Sequence, residues 1–146
     1  MNYENIEILF AEDSIDDSIL TIRALEKSGF THKLHHVKDG AEALDFLFCK
    51  GLYDKRNFRE KPKLILVDLK MPKVSGMQVL EKVKSDPDLK SIPVVILTSS
   101  QEDPDMTKCY ALGANSYIVK PVDSNKFFSS IKEIGLYWMI LNQPAH

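Results

Sequence analysis

Short apolar runs alternate with longer stretches of helical periodicity along this chain. Ile6–Ala11 (IEILFA), Leu64–Val67 (LILV) and Ile92–Leu97 (IPVVIL) are apolar nearly throughout, the pattern of strands covered by helices on both faces. Lys33–Val37 (KLHHV) and Ser116–Val119 (SYIV) are mixed, as expected of sheet edges. Between the runs the spacing predicts helices. The first covers Ser14–Ser28, with Ile15, Ile19 and Ile22 on one face and Gly29 as its stop. The second covers Gly40–Cys49, with Ala41, Leu44 and Phe48 in phase. Further helices run from about Gly76 to Ser85, from about Asp105 to Leu112, and from near Asp123 onward. Five βα units in succession imply an α/β protein: a (βα)5 doubly wound, parallel five-stranded sheet in the order 2-1-3-4-5. In that order the functional crevice lies outside the carboxyl ends of strands one and three.

Two segments break the rhythm. Cys49–Lys63 (CKGLYDKRNFREKPK) is far longer than an ordinary helix-to-strand connection. It reads as a charged, solvated loop, or alternatively as a partner-contact insertion anchored by Tyr53 and Phe58. In the last helix Phe127, Ile131, Ile134, Trp138 and Leu141 recur at steps of four and three, a coiled-coil-like stripe. Tyr137, Met139 and Ile140 add apolar surface beyond it. Such surplus implies a homodimer through helix four, strand five and helix five, with Trp138 near its rim.

With 146 residues, 44% of them hydrophobic and 27% charged, the chain reads as a single domain with a proper core and no output domain. A net charge of −2 recruits neither nucleic acid nor an anionic membrane. No apolar run reaches the roughly 18 residues of a membrane span, and the amino terminus carries no secretory pattern. Cys49 and Cys109 lack metal-ligand spacing and read as reduced thiols, which together with the other signs implies a cytoplasmic protein. His35 and His36 are neighbours on a strand, point to opposite faces and cannot share an ion; with His32 they read as ordinary edge histidines.

The strand endings carry the chemistry. Strand one runs into Glu12-Asp13, strand three into Asp68, strand four into Thr98-Ser99-Ser100, and strand five into Lys120-Pro121. Acids, hydroxyls and a cation thus collect at one end of the sheet. Clustered carboxylates resist ionising together unless a cation sits among them, and an all-oxygen set with few dedicated ligands suits Mg²⁺. Asp68 is placed to attack a phosphoryl group and form an aspartyl phosphate. Mg²⁺, Lys120, the Thr98 hydroxyl and a peptide N–H near Ser99 would stabilise the transferring oxygens.

In ILFAEDS, VDLKMPKVSG, VVILTSS and SYIVKPVD the chain resembles the receiver domain of two-component response regulators, from about Ile6 to Ile134. The resemblance implies a flavodoxin-like receiver fold with Glu12 and Asp13 as the acidic pair and Asp68 as phosphoacceptor. It makes the Lys70 backbone carbonyl a metal ligand, Thr98 the switch hydroxyl, Tyr117 the switch aromatic and Lys120 the conserved-type lysine. It also implies Mg²⁺, a sensor histidine kinase as donor, and a cis Lys120-Pro121 bond. The long insertion and the aromatic tail are similar to the stand-alone regulators paired with bacterial phytochromes, which implies a phytochrome-type kinase. A haloacid dehalogenase-type phosphatase would want a second Asp where Lys70 stands. A pseudo-receiver would not need Asp68, Thr98 and Lys120 together.

Overall fold

The computed structural model describes residues 3, 5–28, 33–99 and 103–136. Its elements are β1 (Ile8–Ala11), α1 (Ile15–Lys27), β2 (Leu34–Val37), α2 (Gly40–Phe48), β3 (Leu64–Asp68), α3 (Gly76–Ser85), β4 (Val94–Thr98), α4 (Asp103–Ala111), β5 (Ser116–Val119) and α5 (Ser124–Glu133), with a 3-10 turn at Gly51–Tyr53. All strand pairs are parallel and the order is β2-β1-β3-β4-β5, as the alternation of elements predicts. Strand residues point alternately to two cores. Leu9, Ala11, Ile65, Val67, Val94 and Ile96 meet Phe46 and Leu47 of α2, Val79, Leu80 and Val83 of α3, and Cys109 of α4. Ile8, Phe10, Leu64, Leu66, Val95 and Leu97 meet Ala24 and Leu25 of α1 and Phe127 and Ile131 of α5. The central strands are apolar up to their last residues, Asp68 and Thr98, because each face has its own core.

β1 starts at Ile8 and β4 at Val94, each later than the apolar runs suggest, while β3 and β4 reach one residue further and take Asp68 and Thr98 into the ladder. Of Ile15, Ile19 and Ile22, which the spacing puts on one face of α1, only Ile22 packs on the core. Ser18, Thr21, Ala24 and Leu25 are buried, Ile22 is half-buried, and Ile15 and Ile19 are exposed. Small residues let the helix lie close to the sheet, and Ser18 satisfies its hydroxyl locally by donating to the Ile15 carbonyl (2.7 Å). Likewise α2 turns Ala43, Phe46 and Leu47 inward, leaving Ala41, Leu44 and Phe48 half-buried.

α5 stops at Glu133, so the apolar stripe is not carried through Gly135 on one helix. Gly135 takes φ +80°, and the end is closed by bonds from the Leu136 N–H to the Ile131 carbonyl (2.9 Å) and from the Gly135 N–H to the Lys132 carbonyl (3.1 Å). That pair of bonds is the Schellman stop, which favours glycine at the left-handed position. Leu136 packs back on the α5 core beside Ile131. Residues 137–146, with Trp138 and Leu141, lie outside the described residues, as do Gly29, His32 and Ser100.

Candidate functional site

The parallel register brings the ends of β1, β3, β4 and β5 to one rim. Ala11 pairs with Val67, Asp68 with Leu97 and Thr98 with Val119, so the residues after each strand emerge side by side. Asp68 is 6% exposed. Its Oδ2 accepts from Lys120 Nζ (2.9 Å) and its Oδ1 from the Lys70 N–H (3.3 Å). The chain then folds back tightly: the Leu69 N–H reaches the Leu97 carbonyl (2.8 Å) and the Gly76 N–H the Leu69 carbonyl (2.9 Å). A Cβ on Gly76 would stand 2.2 Å from the Asp68 carbonyl oxygen, so this close approach requires glycine.

Lys120 is held by three acids. Nζ hydrogen-bonds Asp17 Oδ2 and Asp68 Oδ2, both at 2.9 Å, and ion-pairs Glu12 Oε1 at 2.7 Å. Burial works against the ammonium, but the bonds from Glu12, Asp68 and Asp17 outweigh it and raise the lysine pKa. Glu12 is buried, and this together with its contact to Asp68 pushes its carboxyl up to about 7 against the pull of Lys120. Its position is fixed from both sides: the Ser14 N–H donates to Oε2 (3.2 Å), and His36 Nε2 donates to the Glu12 carbonyl (2.8 Å).

Glu12, Asp13 and Asp68 each present a carboxylate oxygen, all within 4.8 Å of one another. Of these, Glu12 Oε1 is buried and meets Lys120 Nζ at 2.7 Å. Three carboxylate oxygens gathered at one rim are hard donors of the kind that fits a divalent cation with oxygen preference. The residues present therefore suit the metal that the strand endings imply.

The other expected residues fall around this centre. Thr98 is buried at the end of β4, where its carbonyl accepts from the Lys120 N–H (2.6 Å). Ser99 is exposed and, with Asp17 and Lys120, lines a cavity of about 290 Å³. Tyr117 is half-buried on β5, its ring 6.5 Å from that of Tyr110. The Lys120-Pro121 bond is cis. The strand endings do not point to Asp17, which lies in the first turn of α1: its backbone N–H bonds Ser14 Oγ (3.2 Å), and its carboxylate goes to Lys120.

Most of the insertion is solvent-exposed, as the sequence predicts, Gly51, Leu52, Asp54, Lys55, Asn57, Arg59, Glu60 and Lys63 among it, but its aromatics are not. Tyr53 is neither solvated nor a partner anchor: it is 3% exposed and belongs to the core. Its hydroxyl donates to Glu42 Oε2 (2.6 Å) and accepts from His35 Nε2 (2.9 Å), and its ring meets those of Tyr3, Phe46 and His35 edge-on. Phe58 is half-buried, stacked on Phe48. Arg56 pins the turn by donating to the carbonyls of Phe46 and Glu60, its guanidinium 3.9 Å over the Phe46 ring. His35 and His36 do face opposite ways, one into this cluster and one towards Glu12. Both cysteines are free. No helix among the described residues is long and apolar enough to cross a membrane.

Residues 8–132 match the model of a family described as the response regulator receiver domain. The response regulator Rcp1 of Synechocystis sp. is 39% identical over 132 residues, covering 90% of this chain and 88% of that protein. Among solved structures, the bacteriophytochrome response regulator RtBRR aligns with a TM-score of 0.86 at 46% identity, over 96% of this chain and 84% of that one. Rcp1 in its Mn²⁺-bound form aligns with a TM-score of 0.75 at 38% identity, over 96% and 99% of the two chains. The phosphorylated cyanobacterial phytochrome response regulator RcpA gives 0.73 at 35% identity, over 96% and 97%.

Proposed function

We infer from the response regulator receiver family, to which this chain belongs, that it is a phosphoacceptor switch charged on Asp68 by a sensor histidine kinase. The observation that carries this reading is the meeting of Asp68, Glu12 and Asp13 with Lys120 at one sheet end. An Asp68 carboxylate oxygen attacks the phosphorus of a kinase phosphohistidine. The O–P bond forms, the P–N bond breaks, and the imidazole leaves to take a proton from water. Lys120 and the Thr98 hydroxyl donate to the transferred oxygens, joined by the Ser99 peptide N–H. Glu12, Asp13, Asp68 and the Lys70 carbonyl would hold Mg²⁺, which supplies charge neutralisation between the carboxylate and the phosphoryl group. Water later cleaves the acyl phosphate and restores Asp68.

Phosphorylation biases a two-state domain in which Thr98 and Tyr117 reset the face of α4, β5 and α5. That face carries exposed Tyr110 and Phe128 and a cavity of about 500 Å³ lined in part by Tyr110 and Tyr117, and it is the surface for a homodimer. The kinase is of phytochrome type, in line with the names of RtBRR and RcpA, and the protein works in the cytoplasm with no nucleic-acid or membrane partner. Acetyl phosphate with Mg²⁺ tests the reading: mass spectrometry should show one phosphoryl group on Asp68, absent in Asp68→Asn. Multiple turnover of phosphoesters without a stable adduct favours a phosphatase instead.

A further inference from the structure

Lys120 has a task in phosphoryl transfer, yet its ammonium is already surrounded by three carboxylate oxygens at 2.7–2.9 Å. For it to reach a phosphoryl oxygen, one of these contacts must open. Asp68 is the acceptor itself. Glu12 has a side-chain exposure of 0% and is tied to the Ser14 N–H, so opening its contact strands a buried carboxylate. Asp17 differs: its side chain is 41% exposed, and it borders the cavity of about 290 Å³ beside Lys120. Water can solvate this carboxylate as it turns away, so it is the least costly contact to open.

We propose that Asp17 is a positioning residue that holds Lys120 towards α1 in the unphosphorylated protein and must release it for phosphoryl transfer. It thereby brakes the charging of Asp68. The inference rests on the phosphoacceptor reading and adds a residue to it. Release is built into the helix start: the cap on Ser14 uses the Asp17 backbone N–H, which any substitution except proline keeps, so the side chain is free for this role.

The test is the second-order rate constant for phosphorylation by acetyl phosphate at saturating Mg²⁺, together with the affinity for beryllofluoride. Asp17→Ala should raise the rate constant about fivefold, as opening a half-exposed charge pair implies, and tighten beryllofluoride binding in proportion. Asp17→Glu should restore wild-type values. Asp16→Ala is the control, because Asp16 is an exposed acid of the same turn that makes none of the Lys120 contacts. An unchanged or slower Asp17→Ala protein of wild-type melting temperature overturns the proposal. So does equal acceleration by Asp16→Ala, which would make the effect one of overall field. If the wild type takes up no phosphoryl group, the phosphoacceptor reading itself fails.

Discussion

Replacing Tyr53 by Phe isolates what the insertion does for the fold. The substitution keeps the ring against Tyr3, His35 and Phe46, at centroid distances of 5.0–5.5 Å, and removes only the hydroxyl. That hydroxyl donates to Glu42 Oε2 at 2.6 Å and accepts from His35 Nε2 at 2.9 Å, so one oxygen joins the insertion to α2 and β2. A hydrogen bond to a charged group is worth about 1.5–3 kcal/mol net. Glu42 is only half-buried and water can partly replace the donor, so the expected loss lies near the lower end, about 2 kcal/mol. For a chain of this size that lowers Tm by roughly 4–8 °C. Urea unfolding of wild type, Tyr53→Phe, Glu42→Gln and the double variant measures it, and the cycle should return a coupling of about 1 kcal/mol or more. Equal stability of Tyr53→Phe and wild type would refute the structural role of the insertion.

Gly76→Ala forces a methyl to 2.2 Å from the Asp68 carbonyl oxygen and 2.9 Å from the Leu69 Cα, so the β3–α3 turn must shift. The expected cost is about 1–3 kcal/mol with slower charging of Asp68; unaltered unfolding and acetyl phosphate kinetics would contradict it. His35 gives a pH dependence. Burial holds its pKa below the usual 6.5, with His36 and Arg56 adding to the effect and Glu42 opposing it. The neutral ring is therefore the folded form. Its contribution is present above pH 6.5 and is lost as pH falls from 6.5 towards the lower folded value. Glu12, raised from 4.5 to about 7, has the opposite sign, since its stabilising proton is lost as pH rises through that window. Comparing wild type with His35→Phe between pH 7.5 and 5.5 isolates the histidine: the wild type should lose more stability on acidification, and parallel curves would rule this out.

What could be read in advance follows a physical line. The site was legible because its residues sit where continuous apolar runs stop, and parallel topology alone then brings Asp68, Glu12, Asp13, Thr98 and Lys120 together. Asp17 was not legible, because its contact with Lys120 spans 103 residues and its place in a first helical turn already had a local explanation. The inner face of α1 was hidden for a related reason. Hydrophobicity pointed to Ile15 and Ile19, whereas close helix–sheet packing selected the small Ser18 and Thr21. Tyr53 lay in a charged segment, and nothing local signals that its ring closes over Phe46 and His35.

The distribution of the site along the chain also orders its assembly during synthesis. A ribosome delivers Glu12, Asp13 and Asp68 long before Lys120, which follows Asp68 by 52 residues and reaches it only when β5 pairs with β4. Until that last strand docks, Glu12 and Asp68 lack Lys120, the cation they hold in the folded chain. The lysine that completes the charge balance arrives with the strand that completes the sheet. A chain in which β5 has not yet docked on β4 therefore lacks the lysine of the constellation.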